Sequence, residues 1–194
     1  MERPDDTELM LAYASGDARA FETLYARHRG PVFRYLNRQV RDRETASELF
    51  QETWMRVVAA RARYEPRARF QTFLYRIARN CCIDHARRAA LRPSVAGLDI
   101  DENIFSTSLE SDPAHAIERT EATQHYRQAL DALPAEQRDV FLLYEESGLS
   151  LEDIAQVTGI GTETSKSRLR YAVAKLHALL KSSYAQDAPE VSRL

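Results

Sequence analysis

The sequence predicts an all-α protein: two small helical domains joined by a flexible linker, the second containing a helix-turn-helix. Three observations carry this expectation. Apolar residues recur at helical spacing along most of the chain, as in Phe70, Phe73, Leu74, Ile77 and Cys81, and such a repeat makes one apolar face. The repeat lapses from Leu91 to Ser111, LRPSVAGLDIDENIFSTSLES, where Pro, Gly, Ser and Asp read as a tether. Further on, a short helical stretch, a turn at Gly159 to Gly161 and a longer helical stretch follow one another, in the order of a helix-turn-helix. The expected divisions are therefore 1–90, a linker 91–111, 112–184 and a frayed tail 185–194.

Asp5, Asp6 and Thr7 offer caps to a first helix, ELMLAYA, which Gly16 stops. Asp17 can cap the next, with Phe21, Leu24, Tyr25 and His28 on one face; His28 reads as a boundary residue. Gly30-Pro31 should kink or interrupt that helix before VFRYLNRQV, because proline lacks the N–H that the helix needs. Arg41 to Thr45 is polar and turn-like. Ala46, Leu49, Phe50, Thr53, Trp54 and Val57 then form an amphipathic helix whose outer side offers Glu48, Gln51, Glu52 and Arg56. Pro66 bars regular helix in RARYEPRAR, Arg61 to Arg69, which becomes a loop entering the helix Ala68 to Ala90.

Beyond the linker, Asp112-Pro113 is a cap followed by proline at the first helical position. Ile117, Ala129, Leu130 and Leu133 supply intermittent apolar contacts there. Pro134 begins AEQRDVFLLYEES, and Gly148 ends it. Ser150 can cap LEDIAQVT, with Asp153 where a capping-box acid would sit. Thr162 can cap ETSKSRLRYAVAKLHALLKS, on which Leu169, Val173, Leu176 and Leu180 should face inward.

The 194 residues leave room for one large domain or two small ones, and an apolar fraction of 44% is ordinary for a folded soluble chain. No apolar run approaches a membrane span and no signal-peptide core opens the chain, so membrane insertion is not expected and the expected location is cytoplasmic. Cys81 and Cys82 are adjacent and staple nothing, no zinc-ligand set is visible, and neither metal nor cofactor is expected. Net charge is −2, but its distribution is uneven: Met1 to Ala90 carries +5, Leu91 to Tyr126 −5, and Arg127 to Leu194 −2. A basic N-terminal unit is followed by an acidic strip.

The basic charge is concentrated around one helix. Arg61, Arg63, Arg67, Arg69, Arg76, Arg79, Arg87, Arg88 and Arg92 face only Glu65 and Asp84, and Tyr64, Phe70, Phe73 and Tyr75 are interleaved. Cations for phosphates beside aromatic faces for unstacked bases suit single-stranded nucleic acid. A solvated basic face is the plainer alternative. In the C-terminal helix-turn-helix, Ser and Thr beside Lys166, Arg168 and Arg170 stand where a recognition helix meets the major groove. A nucleic-acid-cleaving enzyme would need clustered carboxylates or histidines, which this basic region lacks.

Three segments together resemble the bacterial RNA polymerase sigma factors of the extracytoplasmic-function group: ELFQETWMRV, FQTFLYRIARNCCIDHARR, and LPAEQRDVFLLYEESGLSLEDIAQVTGI with TSKSRLRYAVAKL. The resemblance covers nearly the whole chain. It implies a binding protein with no catalytic centre. The helix matching Ala46 to Val58 would dock on the clamp of the polymerase's largest subunit through Glu48, Leu49, Gln51, Glu52 and Trp54. The segment matching Tyr64 to Arg88 would melt and read the −10 promoter element as single strand, and the helix matching Thr162 to Lys175 would read the −35 element as duplex. The linker would pass through the active-site and RNA-exit region, where an acidic segment suits a channel built for RNA. An anti-sigma factor is the expected restraining partner.

Residue by residue, the resemblance gives Asn80 the base-reading position, shared with Asp84 one turn on. Tyr64, Arg67 and Arg69 fall in the loop that holds a flipped base, and Arg76, Arg87 and Arg88 would hold phosphates. Thr162, Thr164, Lys166, Ser167, Arg168, Arg170 and Tyr171 form the −35 surface. The chain departs from the family pattern in three places. Thr45 and Ser47 occupy positions of an acidic run, which makes them candidate phosphorylation sites that would restore charge. Tyr171 stands where many members carry Arg, and Cys81 and Cys82 replace apolar or small residues. The competing reading is a stand-alone helix-turn-helix regulator that never engages polymerase; it leaves the basic helix unexplained.

Overall fold

Eight α-helices and one 3₁₀ turn account for the described residues, with no strand among them. The computed structural model describes residues 4–40, 42–91 and 113–186, with side chains from 122 to 183 in the last stretch. The expected linker from Arg92, the Asp112 cap, the Ile117 contact and the tail beyond 186 lie outside the described residues or their side chains.

Helix α1 (Asp6–Ala14) starts with a capping box: the Asp5 carboxylate accepts from backbone N–H groups, and Glu8 accepts from the Asp5 N–H at 3.1 Å. Asp17 caps α2 (Ala18–Gln39) by accepting from the Arg19 N–H at 2.9 Å. This helix runs through Pro31 without the interruption that was one of the two expected outcomes there. The preceding residue is glycine, so the steric clash that normally expels the residue before proline from helical geometry is relieved. Buried Leu24, Val32, Tyr35 and Leu36 hold both halves to one core.

Helix α3 (Arg43–Ala60) begins earlier than expected. Asp42 accepts from the N–H groups of Glu44 (3.2 Å) and Thr45 (2.7 Å), so Arg43 to Thr45 is its first turn and not a separate loop. A 3₁₀ turn at Arg61–Arg63 leads into non-helical backbone around Pro66, as expected. Helix α4 (Phe70–Leu91) follows.

Helices α5 (Pro113–Asp131), α6 (Ala135–Ser147), α7 (Leu151–Thr158) and α8 (Thr162–Gln186) form the second unit. Pro134 is the cap residue of α6, one position before the helix proper, and Gly148 closes it at φ +65°. Ser150 caps α7 by accepting from the Asp153 N–H at 3.1 Å, and its own hydroxyl donates to Asp153 Oδ2 at 2.8 Å. The Ser165 N–H bonds to the Gly161 carbonyl, so Thr162 opens α8 and Gly161 holds the preceding position expected for Thr162.

Helix α2 sits centrally against α1, α3 and α4, and also packs on α6; α7 packs on α4. The two helical units therefore share one apolar core. Leu74, Tyr75, Ala78 and Cys81 of α4 are buried with Val140, Leu142 and Leu143 of α6, Ile154 and Val157 of α7, and Ala172 and Leu176 of α8. Two readings of facing change. Val173 is 48% exposed, its expected inward role being taken by Ala172 one residue earlier. Tyr75, read as an aromatic interleaved with the arginines, is fully buried, with its ring edge-on to Tyr35 at 5.4 Å.

Candidate nucleic-acid interface

Helix α4 presents two sides because its apolar residues follow the helical repeat. Phe70, Leu74, Ala78 and Cys81 face the core, while Arg76, Asn80 and Arg87 are exposed on the opposite side. The remaining expected −10 residues are distributed differently. Tyr64 is buried, its ring packed edge-on against Phe73 at 5.1 Å, so it forms the wall behind the loop and not an open stacking platform. Burial raises its phenol pKa. Arg67 pairs within the loop with Glu65 at 2.5 Å, and Arg69 points toward Asp153 of α7 at 3.9 Å.

Asp84 is engaged through one carboxylate oxygen while its side chain stays 41% exposed. Its carboxylate takes Arg56 of α3 at 2.9 Å, and Arg56 also holds Glu52 at 2.6 Å. Arg88 reaches Glu52 at 3.4 Å. Two residues read as DNA contacts and one read as a polymerase contact thus join in a single ionic network between α3 and α4, which the sequence had kept apart. The Asp84 bond is the main cause of the raised Arg56 pKa.

The outer side of α3 carries Glu48 and Gln51, both exposed. Leu49, 2% exposed, and Trp54, 6% exposed, belong to the core; Leu49 offers no contact surface here. Trp54 instead forms the floor of a shallow apolar groove with Phe21, Tyr25, Phe50, Met55 and Val58. Its ring lies edge-on to Tyr25 at 4.9 Å, and its indole N–H is buried without an acceptor among the described residues. Thr45 donates its hydroxyl to Asp42 Oδ2 at 2.6 Å, a bond that holds the Asp42 carboxyl below its ordinary pKa. Ser47 is half-buried.

On α8, Thr164, Lys166, Arg170 and Tyr171 are exposed, and the Arg170 guanidinium stacks over the Tyr171 ring at 5.1 Å. Thr162 and Ser167 are half-buried, and the Ser167 hydroxyl donates to the Thr164 carbonyl at 3.0 Å. Arg168 turns away to pair with Glu136 of α6. Ser165, absent from the expected set, is fully buried and seats this end of α8. No group of His, Cys, Asp and Glu that could hold a metal ion occurs among the described residues, and no helix there is long and apolar enough to cross a membrane.

The acids that join the two units are not among the expected site residues. Asp139, Glu146 and Asp153 each meet a cation or hydroxyl of α2 or α4. A signal existed: Asp139 and Glu146 lie seven residues apart, on one face of a helix, around the apolar run VFLLY.

Two segments of the chain match known family models. Residues 24–92 match Sigma-70 region 2, and residues 124–176 match Sigma-70, region 4. The ECF RNA polymerase sigma factor SigM of Mycobacterium tuberculosis is 30% identical over 90% of this chain and 84% of its own length. The RNA polymerase sigma factor CarQ of Myxococcus xanthus is 31% identical over 88% of this chain and 95% of its own. Among solved structures, CnrH in complex with the cytosolic domain of CnrY superposes with a TM-score of 0.68 at 25% identity, covering 91% of this chain and 97% of that one. The Bartonella quintana sigma factor RpoE, solved with the anti-sigma factor NepR, shares the fold at a TM-score of 0.64 and 23% identity, covering 84% of this chain and 98% of that one. With region 2 present beside region 4, the stand-alone helix-turn-helix reading is not favoured. The chain belongs to the extracytoplasmic-function RNA polymerase sigma factors, which direct transcription initiation at promoters.

Proposed function

We propose that this chain binds core RNA polymerase in the cytoplasm and carries it to its promoters as a binding subunit without catalysis of its own. The observation that supports this best is the pairing of two exposed surfaces in one chain: Arg76, Asn80 and Arg87 on α4, and Thr164, Lys166, Arg170 and Tyr171 on α8. In this reading Asn80 pairs with an exposed base edge of the −10 element, and Arg76 and Arg87 take phosphates. The α8 residues read the −35 duplex. Glu48 and Gln51, beside the groove floored by Trp54, meet the clamp of the largest polymerase subunit. Asp84 and Arg88 keep donor and acceptor sites for DNA beside their bonds to α3. An anti-sigma factor is the restraining partner.

Thr45 and Ser47 tune that docking if phosphorylated. Thr45 lies in the first turn of α3, where the helix end favours negative charge, although a phosphate would displace its bond to Asp42. Binding of Thr45→Asp with Ser47→Asp to core polymerase no tighter than wild type would count against this.

The primary test mixes the purified chain with bacterial core RNA polymerase and follows co-elution by size-exclusion chromatography. A stable complex that supports run-off transcription from a subset of promoters is expected. Absence of any complex, with the aspartate variants as well, would sink the reading.

A further inference from the structure

Asp84 is an acid on a basic helix side. Between Arg61 and Arg92 its only acidic companion is Glu65, which pairs within its own loop with Arg67. Asp84 lies one turn beyond Asn80, on the same face of α4. Its orientation is set from α3. One guanidinium nitrogen of Arg56, Nη2, donates to Asp84 Oδ2 at 2.9 Å and to Glu52 Oε1 at 2.6 Å. Both hydrogens of that nitrogen are then used, and the planar fork fixes the Asp84 oxygen relative to α3. Arg88 closes the arrangement: its Nη2 donates to Glu52 Oε2 at 3.4 Å, and its Nε–H to the Asp84 carbonyl at 3.3 Å. Asp84 Oδ1 takes no part in these bonds.

We propose that Arg56 is a positioning residue that sets base specificity on the −10 strand. By holding Asp84 through one oxygen, it presents the other as a single acceptor for the exocyclic amino group of adenine or cytosine, and denies the two-oxygen grip that favours guanine. The inference deepens the base-reading role given to Asp84 above and rests on it.

Unpaired bases show their Watson–Crick edges. On that edge adenine and cytosine each carry one amino group, and a carboxylate oxygen accepts from it. Thymine carries a lone N–H between two carbonyls, which repel the oxygen. Guanine carries an N–H and an amino group side by side. A free carboxylate matches that pair with both oxygens, as it matches the fork of an arginine. With Oδ2 held by Arg56, guanine gains one bond and leaves its second donor poorly paired, so its advantage is lost. Charge works in the same direction. Arg56 is flanked by two carboxylates and is 38% exposed, so it neutralises Asp84 and keeps that acid from repelling the phosphates beside it.

The test uses holoenzyme assembled from the full chain and core RNA polymerase. The probe is a pool of short single-stranded DNA with a randomised centre, captured on the holoenzyme and sequenced against the input. Wild type should enrich adenine or cytosine over guanine and thymine about tenfold at one position, the worth of one charge-assisted bond. Asp84→Ala should erase the enrichment at that position. Arg56→Met keeps the length and apolar stem of the side chain and frees Oδ2. It should raise guanine about tenfold at the same position, by the second bond that guanine then makes, with preferences elsewhere unchanged. A merely structural role for Arg56 would weaken capture of all sequences alike and leave the preference where it was. If Arg56→Met loses core-polymerase co-elution or helical circular dichroism, Arg56→Lys replaces it, because an ammonium keeps the charge without the fork; the same shift toward guanine is expected, in smaller measure. An Asp84-dependent preference that the Arg56 variant leaves unaltered overturns the positioning role alone. A wild-type preference that Asp84→Ala leaves in place overturns the base-reading role of Asp84, and the inference falls with it. Failure of wild type to form the holoenzyme would strike at the promoter-directing function itself, and again at the inference built on it.

Discussion

Replacing Asp139 by alanine removes one acceptor and orphans three donors, the Arg79 Nε–H, the Tyr35 hydroxyl and the Gln39 amide, and the cost can be worked from their surroundings. The Arg79 bond is charge-assisted, at 2.6 Å between side chains 24% and 15% exposed, and bonds of this kind contribute about 1.5–3 kcal/mol. Arg79 can turn partly to water, which favours the lower end. The Tyr35 hydroxyl cannot: its side chain is fully buried, and an unsatisfied buried hydroxyl costs about 1–3 kcal/mol. Gln39 is half-buried and re-solvates at little cost. The expected destabilisation for Asp139→Ala is therefore about 3–4 kcal/mol, with less than half of that for Asp139→Asn, which keeps an acceptor oxygen. Tyr35→Phe should cost about 1 kcal/mol, and the double variant should fall short of the sum because the two share one bond. Urea unfolding followed by far-ultraviolet circular dichroism measures the four variants beside wild type, and the alanine variant should split the transition in two as the units uncouple. A midpoint for Asp139→Ala within about 0.5 kcal/mol of wild type, the range of an ordinary surface change, would refute the reasoning, because it would mean that α2, α4 and α6 do not meet this way in solution.

Other substitutions separate function from packing. Asn80→Ala should weaken promoter opening by about 5- to 150-fold, the worth of one amide–adenine pair, while core-polymerase binding stays at the wild-type level; equal loss in both assays would contradict a base-reading role. Burial, and next the neighbouring Asp139 charge, push the Cys82 thiol up to about 12. The folded chain then keeps a proton that an unfolded thiol loses near its ordinary pKa of about 8.5, so this contribution to stability is complete below that pH and is lost as pH rises toward the folded value. The thermal midpoints of wild type and Cys82→Ala should therefore converge between about pH 9 and 11, and a constant gap would argue against a raised pKa at this half-buried thiol. Gly148→Ala meets no atom within 4 Å of the new Cβ but must hold φ +65°, so it should cost about 1 kcal/mol of stability by urea unfolding, with Gly148→Asn costing less; a neutral alanine would mean that the α6 end relaxes freely.

Most of the helices were legible because their signals are local. Asp5, Asp17 and Ser150 cap where a short polar side chain precedes an apolar repeat, and Gly148 and Gly159 close helices in the left-handed region. Apart from the starts of α3 and α8, which local caps moved, the readings that changed were those in which a distant contact outweighed a local preference. Pro31 opposes helix, yet burial of Val32, Tyr35 and Leu36 against the shared core keeps α2 whole. Tyr75 and Tyr64 share their spacing with arginines, and periodicity could not tell that their rings turn to Tyr35 and Phe73. Among the candidate site residues, the exposed ones on α4 and α8 followed from the helical repeat. The pairing of Asp84 with Arg56, and of Arg168 with Glu136, did not, because the partners are on different helices.

What the sequence by itself determined is the helical class, the two-unit order and the placing of exposed basic and polar side chains on two particular helices; these depend on residue spacing and on motifs read within single segments. Only the tertiary structure decided which charges are spent inside the protein. Asp139 and Glu146 look like solvated acids along the chain and Asp153 like a cap acid of α7; all three join the two units only when α6 and α7 are laid against α2 and α4. An ion pair depends on distance in space, and residues up to 112 positions apart, such as Arg34 and Glu146, leave no periodic trace of their meeting.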